Sequence, residues 1–127
     1  VSDRVHFMKA CAELAGEIAT SVTGELSHEE REERMSLITS GKKKILFGTQ
    51  AIFSEGISLN SLSCLILGTP INNEPLLTQL IGRVIRKEVN KKDPVIIDIH
   101  LKGNTARRQA STRMGHYMKQ GYQIKQL

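Results

Sequence analysis

Four short, almost unbroken apolar runs constrain this chain more than any other feature. They span 18–22, 44–49, 63–69 and 94–100, each bounded by turn-forming or polar residues. Stretches such as Ile45-Leu46-Phe47, Cys64-Leu65-Ile66-Leu67 and Val95-Ile96-Ile97-Asp98-Ile99 do not alternate apolar with polar side chains. A strand with one wet face alternates, so unbroken runs predict strands covered on both faces, as in a parallel sheet. Parallel neighbours need long crossovers, and the intervening segments carry helical patterns. Residues 4–17 place Met8, Cys11, Ala12 and Ala15 on one stripe. Ser27 and Glu30 have the spacing of a capping box, which predicts a helix to about Thr39, burying Met35 and Ile38 and ended by Gly41. Pro75 can open a third helix, where its missing N–H costs nothing. A fourth is expected over roughly 105–120, stopped by Gly121. Strand and helix alternate through 127 residues, enough for one core, and predict a single α/β domain of three layers with a mainly parallel central sheet.

The first helix starts almost at once after Val1, where an α/β unit would place a strand. The first strand is therefore expected to be cut short and the chain to be a piece of a longer protein. No apolar run approaches the roughly 20 residues of a membrane helix, so no membrane partner is expected. The N-terminal residues lack a charged-then-apolar leader, which gives secretion no support. Cys11 and Cys64 both sit in apolar stretches and read as buried, reduced thiols of a cytoplasmic protein.

Charge is distributed unevenly. Residues 1–40 carry 4 basic and 8 acidic side chains, whereas residues 83–127 carry 11 basic and 3 acidic ones. A basic half points to phosphate, in a nucleotide or along a nucleic-acid backbone, and is equally compatible with a solvated surface.

The strongest chemical signal is Gln79-Leu80-Ile81-Gly82-Arg83-Val84-Ile85-Arg86. At 100° per residue, Gln79, Gly82, Arg83 and Arg86 fall within about 100° of arc. Leu77, Leu80, Ile81, Val84 and Ile85 take the opposite side. Such a helix offers an amide and two guanidiniums on its outer face, and Gly82 leaves room for a ligand or a second domain. Arginine suits phosphate because its planar fork pairs bidentately and keeps its charge. The same pattern also fits an ordinary amphipathic helix with its arginines in water.

A second constellation is Gly48-Thr49 at the end of an apolar run, followed by Ser54, Glu55, Gly56, Ile57 and Ser58. Loops after the carboxyl ends of parallel strands are where open α/β sheets bind ligands. Thr49 could offer a hydroxyl and an N–H there, or simply cap the next helix. Thr23-Gly24 stands at a comparable strand end. Other chemistry is not signalled. The chain has no G-x-x-x-x-G-K-[ST] loop, no G-x-S-x-G elbow and no metal-ligand spacing among His6, His28, His100 and His116. With Tyr117 and Tyr122 the only tyrosines and no tryptophan, a base-stacking platform is not expected. Asp98, inside a strand, reads as structural.

In order and spacing these pieces resemble the C-terminal, second RecA-like domain of superfamily 2 helicases, over essentially the whole chain. Val1 to Phe7 resembles the tail of motif IV. Thr23-Gly24-Glu25, followed by a helix bearing Arg31, resembles the next conserved block. Ile45 to Thr49 with Ser54 to Ser58 resembles motif V, and Gln79 to Arg86 matches the Q-x-x-G-R-x-x-R form of motif VI. Within the superfamily the chain looks most like the phage UvsW type, which remodels branched DNA.

The resemblance implies a RecA-like three-layer sandwich that forms half of an ATP-dependent DNA helicase or translocase and is inactive alone. The N-terminal RecA-like domain of the same parent chain would hold most of the ATP and Mg²⁺. By the same resemblance, Arg86 is an arginine finger with Arg83 beside it, and Gln79 senses the γ-phosphate or its attacking water. Gly56 and Gly82 border the ATP cleft, while Thr49, Thr23 and Gly24 touch the nucleic-acid backbone. No residue is expected to ligate metal directly. Many relatives carry an acid two positions after the motif V glycine, to contact the ribose; Ser58 stands there in this chain. An RNA helicase half, or a basic nucleic-acid-binding module without ATP use, remain as alternatives. The resemblance places the protein in the cytoplasm of a bacterium or a phage-infected cell.

Overall fold

The computed structural model describes residues 5–54, 62–69, 71–84 and 92–127. Each predicted apolar run contains one strand: β1 (Ala19–Val22), β2 (Ile45–Gly48), β3 (Cys64–Leu67) and β4 (Val95–Asp98). β1 pairs with β2 in parallel, from Ala19 opposite Ile45 to Val22 opposite Gly48. β3 pairs with β4 in parallel, from Cys64 opposite Val95 to Leu67 opposite Asp98. Among the described residues the two pairs form separate ladders. They nevertheless share a core, because Leu46 of β2 packs on the cluster that contains Leu65 and Leu67 of β3.

The helices are α1 (Val5–Ala15), α2 (His28–Thr39), α3 (Gln50–Ser54), α4 (Glu74–Val84) and α5 (Asn104–Lys119). The predicted capping box closes α2: the Glu30 N–H donates to Ser27 Oγ at 3.2 Å, and the Ser27 N–H donates to Glu30 Oε2 at 2.9 Å. Gly41 and Gly121 follow α2 and α5 at φ +81° and +78°, a region that other residues enter at a cost. α4 begins one residue before Pro75, because Asn73 Oδ1 accepts the Leu76 N–H at 3.1 Å and acts as its cap. Leu77, Leu80, Ile81 and Val84 of α4 are fully buried in the cluster with Leu65, Leu67, Ile71 and Tyr117.

Two expectations need correction. The strands were expected to be covered on both faces, yet β3 and β4 are half open. Leu65 and Leu67 face the core, whereas Ile66, Val95 and Ile97 are exposed by 44–50%. Among the described residues no element closes that face. The correction to Cys64 has the same cause: it lies on the open face opposite Val95 and is exposed, not buried. Cys11 is half-buried on the inner stripe of α1.

The end of β4 is tied to α5 by a buried polar knot. Asp98 accepts from Arg113 Nε at 2.8 Å, from Arg113 Nη2 at 2.9 Å and from the Tyr117 hydroxyl at 2.7 Å. Burial, and then the bond to Asp98, push the Tyr117 pKa well above its ordinary value. In the unfolded chain the phenol loses its proton near pH 10. The stability it contributes is therefore complete below about pH 10 and is lost as pH rises towards the folded value. Tyr117→Phe should flatten the alkaline limb of a plot of urea midpoint against pH. An unchanged limb would mean that the hydroxyl bond adds nothing to the folded state.

Candidate functional site

The carboxyl ends of β1 and β2 lie side by side, because Val22 is opposite Gly48 in the parallel ladder. The residues that follow, Thr23-Gly24 and Thr49, therefore emerge at one end of that strand pair. Both threonines are buried and their hydroxyls have local partners. Thr23 Oγ1 accepts the Glu25 N–H at 3.3 Å, and Thr49 Oγ1 accepts the Ile52 N–H at 3.4 Å. The capping role open to Thr49 from sequence is thus occupied, and what it can still offer a ligand is its hydroxyl proton. The Thr23-Gly24 turn is braced from both sides. Arg31 of α2 donates Nη2 to the Gly24 carbonyl at 3.4 Å and Nε to the Leu26 carbonyl at 3.2 Å. Lys9 of α1 pairs with Glu25 at 2.6 Å, which holds that exposed carboxyl below the usual range.

An open groove of about 580 Å³ runs between this strand end and α4. Thr49, Gln50 and Ser54 line one wall; Asn73, Pro75 and Gln79 line the other. Motif V and motif VI residues far apart in sequence thus meet across one opening. The inner face of α4 is buried, and Gln79 and Gly82 are exposed on the outer face, as the helical spacing requires. Arg83 is half-buried, and its Nη1 donates to the Phe53 carbonyl at 3.4 Å, tying the last turn of α4 to α3.

Gly48 has a role that sequence spacing alone did not announce. A Cβ at Gly48 would lie 2.4 Å from Phe53 Cζ, so only glycine lets this buried ring sit against the end of β2. Gly82 is the opposite case, because a Cβ there would meet nothing within 4 Å. Among the described residues its absence serves no packing, and it leaves the outer face of α4 low. Gly82→Ala is expected to stabilise the chain by about 1 kcal/mol, the usual gain over glycine in a helix interior. A higher urea midpoint checks this, and a lower one would show that the face is already covered.

Arg86, Gly56 and Ser58 lie outside the described residues, as do the first four residues of the motif IV resemblance. Among the described residues no three His, Cys, Asp or Glu side chains cluster to hold a metal ion. Among the described residues no helix is long and apolar enough to cross a membrane. The basic C-terminal part divides in two: Lys102, Arg107 and Arg108 are exposed at the start of α5, while Arg113 is turned inward onto Asp98.

Comparison with known proteins identifies the family of the domain. The helicase conserved C-terminal domain pattern matches residues 2–88. The chain is 42% identical over 125 residues to "Probable helicase D10" of Escherichia phage T5, covering 96% of this chain and 28% of that protein. It is 37% identical over 90 residues to "Putative ATP-dependent RNA helicase L396" of Acanthamoeba polyphaga mimivirus, covering 70% of this chain and 17% of that protein. To "ATP-dependent DNA helicase uvsW" of Enterobacteria phage T4 the identity is 29% over 92 residues, 72% of this chain and 18% of that protein. The chain thus spans less than a third of each of these relatives. Its fold is similar to the C-terminal domain of the DEAD-box protein Dbp5, with a TM-score of 0.67 at 18% identity over 88% of this chain and 63% of that one.

Proposed function

The chain belongs to the helicase conserved C-terminal domain family, and from that premise we propose that it is the second RecA-like half of an ATP-dependent DNA helicase or translocase. One observation carries the reading: the groove that joins Thr49 of motif V to Gln79 of motif VI. The chain itself has no phosphate-gripping loop. In this reading an N-terminal RecA-like domain of the parent chain supplies that loop and holds Mg²⁺, and ATP lies between the halves.

Each residue then has a task suited to its chemistry. Arg86, with Arg83, places fixed positive charge where negative charge grows on the transferring phosphoryl group. Gln79 orients the γ-phosphate or its attacking water, with Gly56 and Gly82 allowing close approach. Thr49, Thr23 and Gly24 hold nucleic-acid phosphates at the strand ends, and the exposed Lys102, Arg107 and Arg108 add sequence-independent attraction. ATP drives the cycle only as far as it prefers the closed pair of domains to the open one. Because α3, which follows Thr49, shares a core with α4 through Phe53, closing and opening would shift the phosphate grip along a strand.

The test is ATP hydrolysis by the longer protein, carrying its upstream domain, with branched DNA, single-stranded DNA or RNA. Turnover raised most by branched DNA is expected. Stimulation by RNA alone would favour the RNA helicase reading, for which the mimivirus relative speaks. No nucleic-acid-stimulated turnover at all would leave a basic binding module. For the chain as given, nucleic-acid affinity should fall steeply with salt. Reversing the charges of Lys102, Arg107 and Arg108 should weaken it further.

A further inference from the structure

Gly48 ends β2, and Thr49 leads directly into α3, a helix of only five residues. So short a helix has little stability of its own, and its place is set by what its side chains meet. Phe53 is the anchor. Its ring is 3% exposed and belongs to the cluster that contains Leu77, Leu80, Ile81 and Val84 of α4. The ring also fills the space over Gly48. A Cβ there would lie 2.4 Å from Cζ, 2.6 Å from Cε2 and 3.2 Å from Cε1, inside the roughly 3.5–4.0 Å at which carbon atoms pack. Buried among core side chains, the ring has no open space into which to swing aside.

The backbone of the same residue is tied on both sides. The Phe53 N–H donates to the Thr49 carbonyl at 3.2 Å. The Phe53 carbonyl accepts Arg83 Nη1 at 3.4 Å, from a residue 30 positions further along the chain. One residue thus joins the strand-end threonine to a guanidinium on α4. An arginine side chain loses about 2 kcal/mol of rotamer freedom when it is held in one place. Where a guanidinium must meet a developing phosphoryl charge, a direction fixed beforehand spares reorganisation at the moment of reaction.

We propose that Phe53 is a positioning residue for Arg83: its ring, seated on Gly48, fixes the carbonyl that sets the direction of the Arg83 guanidinium. The inference rests on the reading of Arg83 as part of an ATP site. Phe53 touches no substrate and acts only through Arg83. Gly48 then has a functional reason as well as a packing one, because a larger residue at the end of β2 lifts the ring and with it the carbonyl. Since α3 begins next to Thr49, the same seat holds the strand-end contact and Arg83 at one spacing.

The test is a double-mutant cycle on nucleic-acid-stimulated ATP turnover by the longer protein, with Gly48→Ala, Arg83→Ala and both together. Gly48→Ala should lower kcat by about 10²-fold, the loss that a misplacement of about 1 Å can cause, with little change in KM for ATP. In the Arg83→Ala background the same substitution should cost nothing further, because the group it misdirects is already gone. Adding Phe53→Leu to Gly48→Ala removes the ring atoms that the new methyl strikes and should recover most of the lost turnover. Urea midpoints of each variant separate folding from turnover. If Gly48→Ala does not fold, Phe53→Leu takes its place in the cycle, with a smaller loss of kcat that should also vanish without Arg83. Losses that multiply would overturn the proposal alone, since damage spread through the domain does not depend on Arg83. Arg83→Ala with wild-type turnover would overturn the ATP reading, and the positioning role with it.

Discussion

Asp98→Ala is expected to cost the fold about 3–5 kcal/mol, the usual result of removing one partner from a buried ion pair. Arg113 is 3% exposed and depends on Asp98 for both of its hydrogen bonds. The substitution also leaves the Tyr117 hydroxyl without the acceptor it has at 2.7 Å. Domains of this size are stable by about 5–15 kcal/mol, so the variant should lose a large share of its stability. Urea denaturation of the wild type and Asp98→Ala reads the difference directly. Asp98→Asn keeps an acceptor and the shape, so it should lose less. The double variant Asp98→Ala with Arg113→Met should recover much of the loss, because no buried charge is then unpaired. A cost below about 1 kcal/mol for Asp98→Ala would place the pair with ordinary surface ion pairs and would deny it a structural role.

This knot also marks where sequence reading stopped. The structural reading of Asp98 was available, since a carboxylate inside an apolar run needs a partner. The partner itself was not, because Arg113 lies 15 residues away and was counted with the basic C-terminal excess. The signal was present on α5: Ala110, Arg113 and Tyr117 are the buried positions of that helix, at spacings of three and four. An arginine on that stripe has to turn inward, and a basic side chain there is no part of a phosphate-tracking surface. The strands and long helices were legible because their signals are local, an unbroken apolar run or a Ser27–Glu30 cap. Cys64 misled because periodicity cannot tell a strand closed on both sides from one that is open on one side. The same limit applies to Thr49, whose hydroxyl suits both a ligand and the Ile52 N–H. The groove could be foreseen in its members but not in its walls, since Asn73 enters through a cap that was not recognised.

The reading of the motif VI face as half of an ATP site commits Arg86 to the largest functional effect. Arg86→Ala in the longer protein should lower nucleic-acid-stimulated ATP turnover by about 10³-fold or more, as loss of an arginine finger does elsewhere. The reason is electrostatic. A guanidinium fixed beside the transferring phosphoryl group is worth most when its charge grows, so the loss falls on kcat and not on ATP binding. DNA binding should persist, because the strand-end contacts at Thr23, Gly24 and Thr49 are remote in sequence and lie on different elements. Arg86→Lys keeps the charge but not the fork and should rescue only a small part. Arg83 has a second task, holding the Phe53 carbonyl, so Arg83→Ala should lower stability as well as turnover; Arg86→Ala is the cleaner experiment. Turnover within tenfold of wild type would remove Arg86 from the ATP cleft. The motif VI face would then be an ordinary solvated helix, and the basic start of α5 would carry what nucleic-acid affinity the domain has.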